Sequence, residues 1–500
     1  MKYYKLPQGI PDILTDEYAK IENIREKLEN SFIKNGCLRI TMPGIDLFEN
    51  YQTGELALPQ KQMFKFTDLN GELLVVRPDI TLAVARLAGS KIKKFPVKLC
   101  YFESVYKADS SSGREIYQSG VEFLGDVAAE SLSGTEADTE LIALAVNSVK
   151  NAGLDDFVIE IGHVCFKTED KMLFGGREVL KKGEKPAKTA EMKNALKEIG
   201  LIYDNLCARG YEKYVSIDLS ISKSLPYYSG IILTGISKKT GKAFLTGGRY
   251  DNLIKKFGND VKATGFAVDI KCLNNILNLK NVKENNVVSI ALPKGRLGEQ
   301  AAEILEKCGV DVSVLKEDSR KLILNSKDNK YRFLLVKPTD VPIYIERGVA
   351  DIGIAGKDTL LEEDKDIIEI CDLKFGKCRL CLCGYEGTDL SKKTKLVIAT
   401  KYVNAAKKIF EGRNVDYEIV KLSGSIELAP ITDMSDIILD IVESGNTLKA
   451  NGLCVLEEIC ECSARLAVNK VSLKTNKAVL ELVKKIIPFV GRAPAGRGGL

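Results

Sequence analysis

Hydrophobic and polar positions follow two different patterns along this chain, and the change falls near residue 280. Upstream, apolar runs at Leu73–Val76, Lys98–Phe102 and Phe157–Ile161 predict strands, interspersed with helices such as Glu136–Lys150. That mixture predicts an antiparallel sheet carrying helices, an α+β arrangement. Downstream, strand and helix alternate in the βαβ manner. Val287–Leu292 predicts an apolar strand, and the helix after it places Ala301, Ala302, Leu305 and Cys308 on one face before Gly309 closes it. A helix ending at Gly348, a strand Asp351–Ala355 and a new helix after Gly356 repeat the unit. Val479, Leu482, Val483 and Ile486 fall at helical spacing and predict a last amphipathic helix over Thr475–Ile487. The polar run Asn278–Asn286 lies between the two textures. The expected domains are therefore 1–280 and 287–487, with a linker at 281–286. The stretch 488–500 (PFVGRAPAGRGGL) reads as a disordered tail.

Composition narrows the chemistry. A hydrophobic share of 45% and a charged share of 28% are those of a globular, soluble protein. With 73 basic against 68 acidic side chains, the net charge of +5 is too small to mark a nucleic-acid surface. His163 is the one histidine, so a multi-histidine metal site is excluded, and any Ser-His-Asp or Cys-His catalyst would have to use that residue. Thirteen cysteines without regular spacing suit free thiols in a reducing cytoplasm better than a disulfide framework. The tightest cluster, Cys378, Cys381 and Cys383, reads as small core residues on a buried strand, in preference to a zinc site. Pro7, Gly9 and Pro11 interrupt the N-terminus where a signal peptide needs an apolar run, and no uncharged run reaches bilayer length. A cytoplasmic protein with neither membrane nor nucleic acid as partner is the expectation.

Candidate chemistry concentrates in the second half. In Ser435–Leu453, Ile437, Ile438, Ile441 and Val442 fall at helical spacing behind a possible Ser435 cap, which would put Asp436 and Asp440 along one side. A buried strand is the competing reading of this short β-branched run. Either way it ends in the turn Ser444-Gly445-Asn446-Thr447, whose hydroxyls and exposed N–H groups suit a phosphate, with a carboxylate nearby for ribose hydroxyls. A second loop, Pro293-Lys294-Gly295-Arg296, stands between a strand and a helix start, where N–H groups favour anions and Gly295 permits close backbone approach. Each could be an ordinary solvated turn when taken alone.

Together these segments resemble the short form of ATP phosphoribosyltransferase over about residues 287–487. ALPKGRL, KPTDVPIYIERGVADIGIAGKD, FGKCRL, SGSIELAP and SDIILDIVESGNTLKANGL occur in that family's order. Lys337 departs from the family's usual arginine and gives up its bidentate fork. The resemblance implies two α/β lobes like type II periplasmic binding proteins, with substrates in the cleft. It implies that Asp436 and Asp440 hold ribose hydroxyls or the metal. Ser444, Gly445, Asn446, Thr447 and Leu448 would cradle the 5′-phosphate of phosphoribosyl diphosphate (PRPP). Lys294 and Arg296 would meet the diphosphate, with Arg379 a further candidate. The implied reaction displaces diphosphate from C1 of PRPP by N1 of the adenine of ATP. Mg²⁺ would be held mainly by PRPP and ATP, with no direct protein ligand assigned. Positioning and electrostatics suffice for such a step, which suits a site lacking histidine.

The first half resembles histidyl-tRNA synthetase over about residues 5–280, and so implies a class II aminoacyl-tRNA synthetase-like core. The matching text is RPDIT, YQSGVE, LPYYSG, TGGRYDNL (expected to form a turn at Gly247–Asp251) and ATGFAVDIKCL. Lys107 replaces the second-motif arginine, Lys223 and Pro226 replace the arginine and aspartate of an RGLDYYTG-like loop, and Lys271-Cys272 replaces a terminal Glu-Arg. A site that keeps histidine-pocket text and loses ATP-gripping text resembles the regulatory subunit of ATP phosphoribosyltransferase. By that resemblance Asp79 and Glu122 meet the imidazole or ammonium of histidine, and Thr81 and Gln118 hydrogen-bond it. Tyr227 and Tyr228 line the wall, and Lys107 borders the pocket. The implied whole is a sensor followed by its catalyst, a homo-oligomer with histidine as feedback effector. A histidyl-tRNA synthetase-like enzyme, and a non-catalytic two-lobed sensor, are the alternatives.

Overall fold

The computed structural model describes residues 6–7, 9–52, 58–108, 114–125, 135–166, 173–221, 225–278, 287–317, 320–388, 394–411, 413 and 415–490. The chain divides into two compact units, Met1–Val282 and Lys283–Leu500. The expected linker at 281–286 lies outside the described residues.

The first unit is built on β1 (Leu38–Arg39), β2 (Ile45–Leu47), β3 (Phe64–Thr67), β4 (Leu73–Val76), β5 (Val97–Tyr106), β6 (Glu115–Leu124), β7 (Phe157–His163), β8 (Phe174–Gly175), β9 (Val215–Asp218), β10 (Ile231–Ser237), β11 (Ala243–Arg249) and β12 (Ala263–Asp269). Nine of them form one sheet in the order β1-β5-β6-β12-β11-β10-β7-β9-β8, and β2-β4-β3 form a small second sheet. The central run from β5 to β7 is antiparallel throughout. Helices Thr15–Lys34, Thr135–Ala152 and Ala190–Ala208 cover one face. Leu28, Leu141, Ile142, Val146, Ile159 and Ile199 are sealed in that layer. Burying each such side chain is worth about 1.5–3 kcal/mol, so this layer is the unit's main store of stability. The other face packs Tyr101, Tyr227, Tyr228 and Tyr250 against helix Thr81–Ser90.

Gly247 and Gly248, expected in a turn, lie inside β11; the helix Asp251–Lys255 follows directly. Strand pairing with β12 overrides the glycines' local preference, because a Cβ on Gly247 would lie 2.4 Å from the Gly265 carbonyl oxygen. Close strand approach is what those glycines supply.

The second unit contains β13 (Val288–Pro293), β14 (Ile323–Asn325), β15 (Tyr331–Val336), β16 (Ile352–Gly356), β17 (Ile368–Asp372), β18 (Cys378–Gly384), β19 (Lys395–Thr400), β20 (Asp416–Lys421), β21 (Ile437–Val442), β22 (Cys454–Cys462) and β23 (Ala464–Val468). They make two sheets, β14-β15-β13-β16-β23-β17 and β20-β19-β21-β18-β22. The chain crosses from the first sheet to the second between β17 and β18, and returns at Ser463 between β22 and β23. The Tyr402 hydroxyl, beyond β19, donates to Asp358 beyond β16 at 2.9 Å, a further link between the two sheets. The final helix runs Lys477–Val490 and includes Pro488, so the expected disordered tail begins later than Pro488. Val479, Leu482, Val483 and Ile486 of that helix are buried. The rest of the expected tail lies outside the described residues.

Candidate functional site

In the second unit the run Ile437–Val442 is a strand, β21, and the helix expectation fails there. Ile437, Ile438 and Leu439 are all fully buried, which a one-sided amphipathic helix would not allow. Asp436 and Asp440 are therefore four strand positions apart, roughly 13 Å, and cannot serve one ribose together. The Asp436 carboxylate accepts from Val397 N at 2.8 Å, while its own N–H donates to Val397 O. It ties the start of β21 to β19. Asp440 lies near the other end, 3.6 Å from the Lys401 ammonium. Burial pushes its carboxyl up, and Lys401 partly opposes that.

After β21 the chain turns at Glu443–Gly445 into the short helix Asn446–Ala450. Gly445 has φ 76°, a left-handed conformation for which glycine is suited. Ser444, Asn446 and Thr447 are exposed, whereas the Leu448 side chain is buried, leaving that residue only its backbone for a ligand. On the first sheet, Lys294 and Arg296 follow β13 and are also exposed, with Gly295 at φ 87° heading the helix Arg296–Lys307. Arg296 comes within 3.8 Å of Glu443, so the two loops face each other across the sheets. Arg379 stands on β18 opposite Val442 and is ion-paired to Glu458 at 3.0 Å. It must leave that partner to meet an anion. Among the described residues no three His, Cys, Asp or Glu side chains converge as a metal site.

In the first unit Glu122 is 1% exposed on β6. It accepts from the Thr81 hydroxyl at 3.0 Å and the Tyr250 hydroxyl at 2.7 Å. Burial nevertheless pushes its carboxyl up to about 8. Asp79 accepts from Leu82 N at 2.8 Å and from the Tyr227 hydroxyl at 2.9 Å, and it is also raised by burial. Tyr227 packs edge-on against both Tyr228 and Tyr250, at 5.3 and 6.3 Å between ring centroids. Asp79 and Lys107 share a recess with Leu58, Gln62, Met63, Pro78 and Leu225. A Cβ on Gly265 would lie 1.7 Å from the Glu122 carboxylate, so that glycine makes room for it. Gln118 shares the β6 face but sits four positions away, between Glu103 and Asp269 in register. Tyr250 and Tyr101 were not among the expected pocket residues. The first stood in the GGRYD text, and the second carried no signal beyond strand periodicity.

The synthetase-like departures also have places. Lys271 lies 4.1 Å from the Tyr117 ring centroid, and Cys272 N–H donates to Asp269. Arg77 is buried against Glu103 and the carbonyls of Met42, Pro43 and Ser104, so it braces the fold. Lys223 lies outside the described residues.

Comparison with known proteins agrees with this division. Residues 337–488 match the family model for ATP phosphoribosyltransferase. An ATP phosphoribosyltransferase from Brachyspira hyodysenteriae is 52% identical over 205 residues, which are 41% of this chain and 100% of the relative. Another, from Thermoanaerobacter sp., is 50% identical over 200 residues, 40% of this chain and 94% of that relative. The chain belongs to the ATP phosphoribosyltransferase family. Membership makes it a pentosyltransferase of histidine biosynthesis. Residues 9–169 and 166–273 match the model for histidyl-tRNA synthetase, a family to which the first unit belongs. The crystal structure of an ATP phosphoribosyltransferase regulatory subunit/histidyl-tRNA synthetase from Bacillus halodurans aligns with a TM-score of 0.51 and 26% identity. It covers 67% of this chain and 93% of that one. The first unit thus has the class II aminoacyl-tRNA synthetase-like fold. No described helix is long and apolar enough to cross a membrane.

Proposed function

We propose that residues 287–487 transfer the phosphoribosyl group of PRPP to N1 of the adenine of ATP, and that residues 1–280 sense histidine and restrain the transfer. The observation that carries the catalytic half is the approach of two anion-suited loops from different sheets, with Arg296 3.8 Å from Glu443. The turn at Ser444–Leu448 cradles the 5′-phosphate through backbone N–H groups and the Ser444 and Thr447 hydroxyls. Asp440 receives a ribose hydroxyl, and Lys294 and Arg296 stabilise the diphosphate as its negative charge grows. The two sheets act as lobes in the manner of type II periplasmic binding proteins, closing over the substrates.

Mg²⁺ neutralises diphosphate charge when bound. Asp440 and Glu443 offer it few protein oxygens, which suits an ion that keeps its waters and travels with phosphates. ATP and PRPP are the substrates, histidine the effector, and the working form a homo-oligomer in the cytoplasm. The test is release of diphosphate by the purified full chain from ATP plus PRPP. Release that requires both substrates and Mg²⁺ is expected. A folded chain inactive under those conditions would refute the reading.

A further inference from the structure

Three thiols gather where the chain passes between the two sheets of the second unit. Cys378 is the first residue of β18, just after the outward crossing, and Cys462 is the last of β22, just before the return at Ser463. The two stand directly opposite each other in the antiparallel ladder. Cys460 shares their side of β22, with its sulfur 3.9 Å from that of Cys462. Cys378 and Cys460 are partly exposed, while Cys462 is buried at 2%. We propose that this cluster is an oxidisable site at which a Cys378–Cys462 disulfide forms across the strand pair that flanks the two crossings.

Geometry selects the pair. Residues opposite in an antiparallel ladder have Cα atoms about 4.5–5.5 Å apart, within the roughly 4.4–6.8 Å that disulfides span. Residues i and i+2 on one strand are about 6.6 Å apart, at the upper edge of that range, so Cys460–Cys462 suits a transient bond better than a final one. Cys460 is the entry point. Its sulfur shares a hydrogen bond with that of Cys462, and Lys357 and Arg465 lie nearby, which holds its thiol below the usual range. A lowered thiol is the one that oxidants reach first.

With hydrogen peroxide as oxidant, the Cys460 thiolate attacks the O–O bond. An S–O bond forms, and hydroxide leaves and takes up the proton released by the thiol. The Cys462 sulfur then displaces water from the sulfenic acid, giving Cys460–Cys462. Cys378 attacks the Cys462 sulfur and returns Cys460 as a thiol. In sum, two thiols lose two electrons and two protons, and peroxide becomes two waters. Both cysteines belong to the second sheet, one beside each crossing, so the bond stiffens the base from which both crossings leave and hinders motion of the first sheet against it. That consequence rests on the transferase reading; the chemistry of the bond does not.

The full chain is treated with hydrogen peroxide, digested without reduction and mapped by mass spectrometry, with diphosphate release measured in parallel. A linked Cys378–Cys462 peptide pair is expected, together with turnover lowered several-fold, as for an enzyme whose lobe motion is hindered. Dithiothreitol should restore both. Cys378→Ser should stay active when reduced and lose little activity on oxidation, and wild-type mapping remains decisive if that variant folds poorly. Absence of the linked pair overturns the site. A linked pair with undiminished turnover, or equal inhibition of Cys378→Ser, overturns the effect of the bond on lobe motion. A reduced chain that is inactive from the outset, yet forms the bond, refutes the transferase reading and leaves the thiol site standing.

Discussion

Glu122 shows how one residue decides between opposed effects. Two hydroxyl donors favour its charged form, yet burial outweighs them and raises the carboxyl from its ordinary 4.5 to about 8. Between those values the unfolded chain has lost the proton and the folded chain keeps it. The folded state then binds more protons, so stability falls as pH rises through the window. Asp138, pushed up to about 6 by burial, contributes the lower part of that fall. Glu122→Gln, neutral and of similar shape, should therefore make the stability profile shallower between about pH 6 and 8, where Glu122 still holds its extra proton. Urea midpoints across that range check it, and an unchanged slope would mean Glu122 is ionised in the folded chain. At the phosphate loop, Thr447→Val should raise the PRPP concentration needed for half-maximal rate while leaving the fold intact. The cost expected for one hydrogen bond to a charged group is about 1.5–3 kcal/mol. An unaltered PRPP dependence would move the site away from this turn.

At the scale of elements, much was legible where period and length agreed. Leu73–Val76 is a strand with those bounds, and the helix, strand and helix expected around Gly348 and Gly356 occur as Val341–Glu346, Ile352–Gly356 and Lys357–Glu363. The reading faltered at β21, where Ile437, Ile438, Ile441 and Val442 satisfy a helical period and a fully buried strand equally well. Burial between β19 and β18 settles that ambiguity, and no local pattern encodes it. The same cause separates the two aspartates in role. Asp436→Ala should cost about 1–3 kcal/mol of stability, since it leaves the Val397 N–H unpaired, with little change in the PRPP requirement. Asp440→Asn should spare stability and slow diphosphate release by about 10-fold or more, through loss of a charge-assisted bond. Thermal unfolding and steady-state kinetics on both variants separate the roles, and a reversed pattern would exchange them.

At the scale of the molecule, a unit matched over about 200 residues by the two transferase relatives is preceded here by a synthetase-like unit. Candidate chemistry in that unit is the polar set of Asp79, Thr81, Glu122, Tyr227 and Tyr250, closed by its own hydrogen bonds. Such a set can exchange these internal bonds for those of an imidazole and an ammonium group. Residues that grip ATP in a synthetase are replaced: Lys107 shares a recess with Asp79, and Lys271 lies over Tyr117. A lysine ammonium cannot reproduce the planar two-bond contact of arginine with phosphate or carboxylate. On the proposed reading, the unit recognises an amino acid without activating it. Covalent linkage holds such a sensor at a high effective concentration relative to its catalyst, so histidine should lower diphosphate release to the same extent on dilution. Two sites coupled in free energy must act on each other equally, so saturating PRPP or ATP should shift histidine affinity by the factor that histidine shifts theirs. Glu122→Ala should abolish the inhibition while sparing uninhibited turnover, because Glu122 lies in the first unit and accepts hydrogen bonds from Thr81 and Tyr250 of that same unit. Calorimetry and diphosphate assays on the full chain check both halves of this expectation. If wild-type chain binds no histidine, or Glu122→Ala remains fully inhibitable, the first unit is an assembly scaffold and the control of the pathway lies elsewhere.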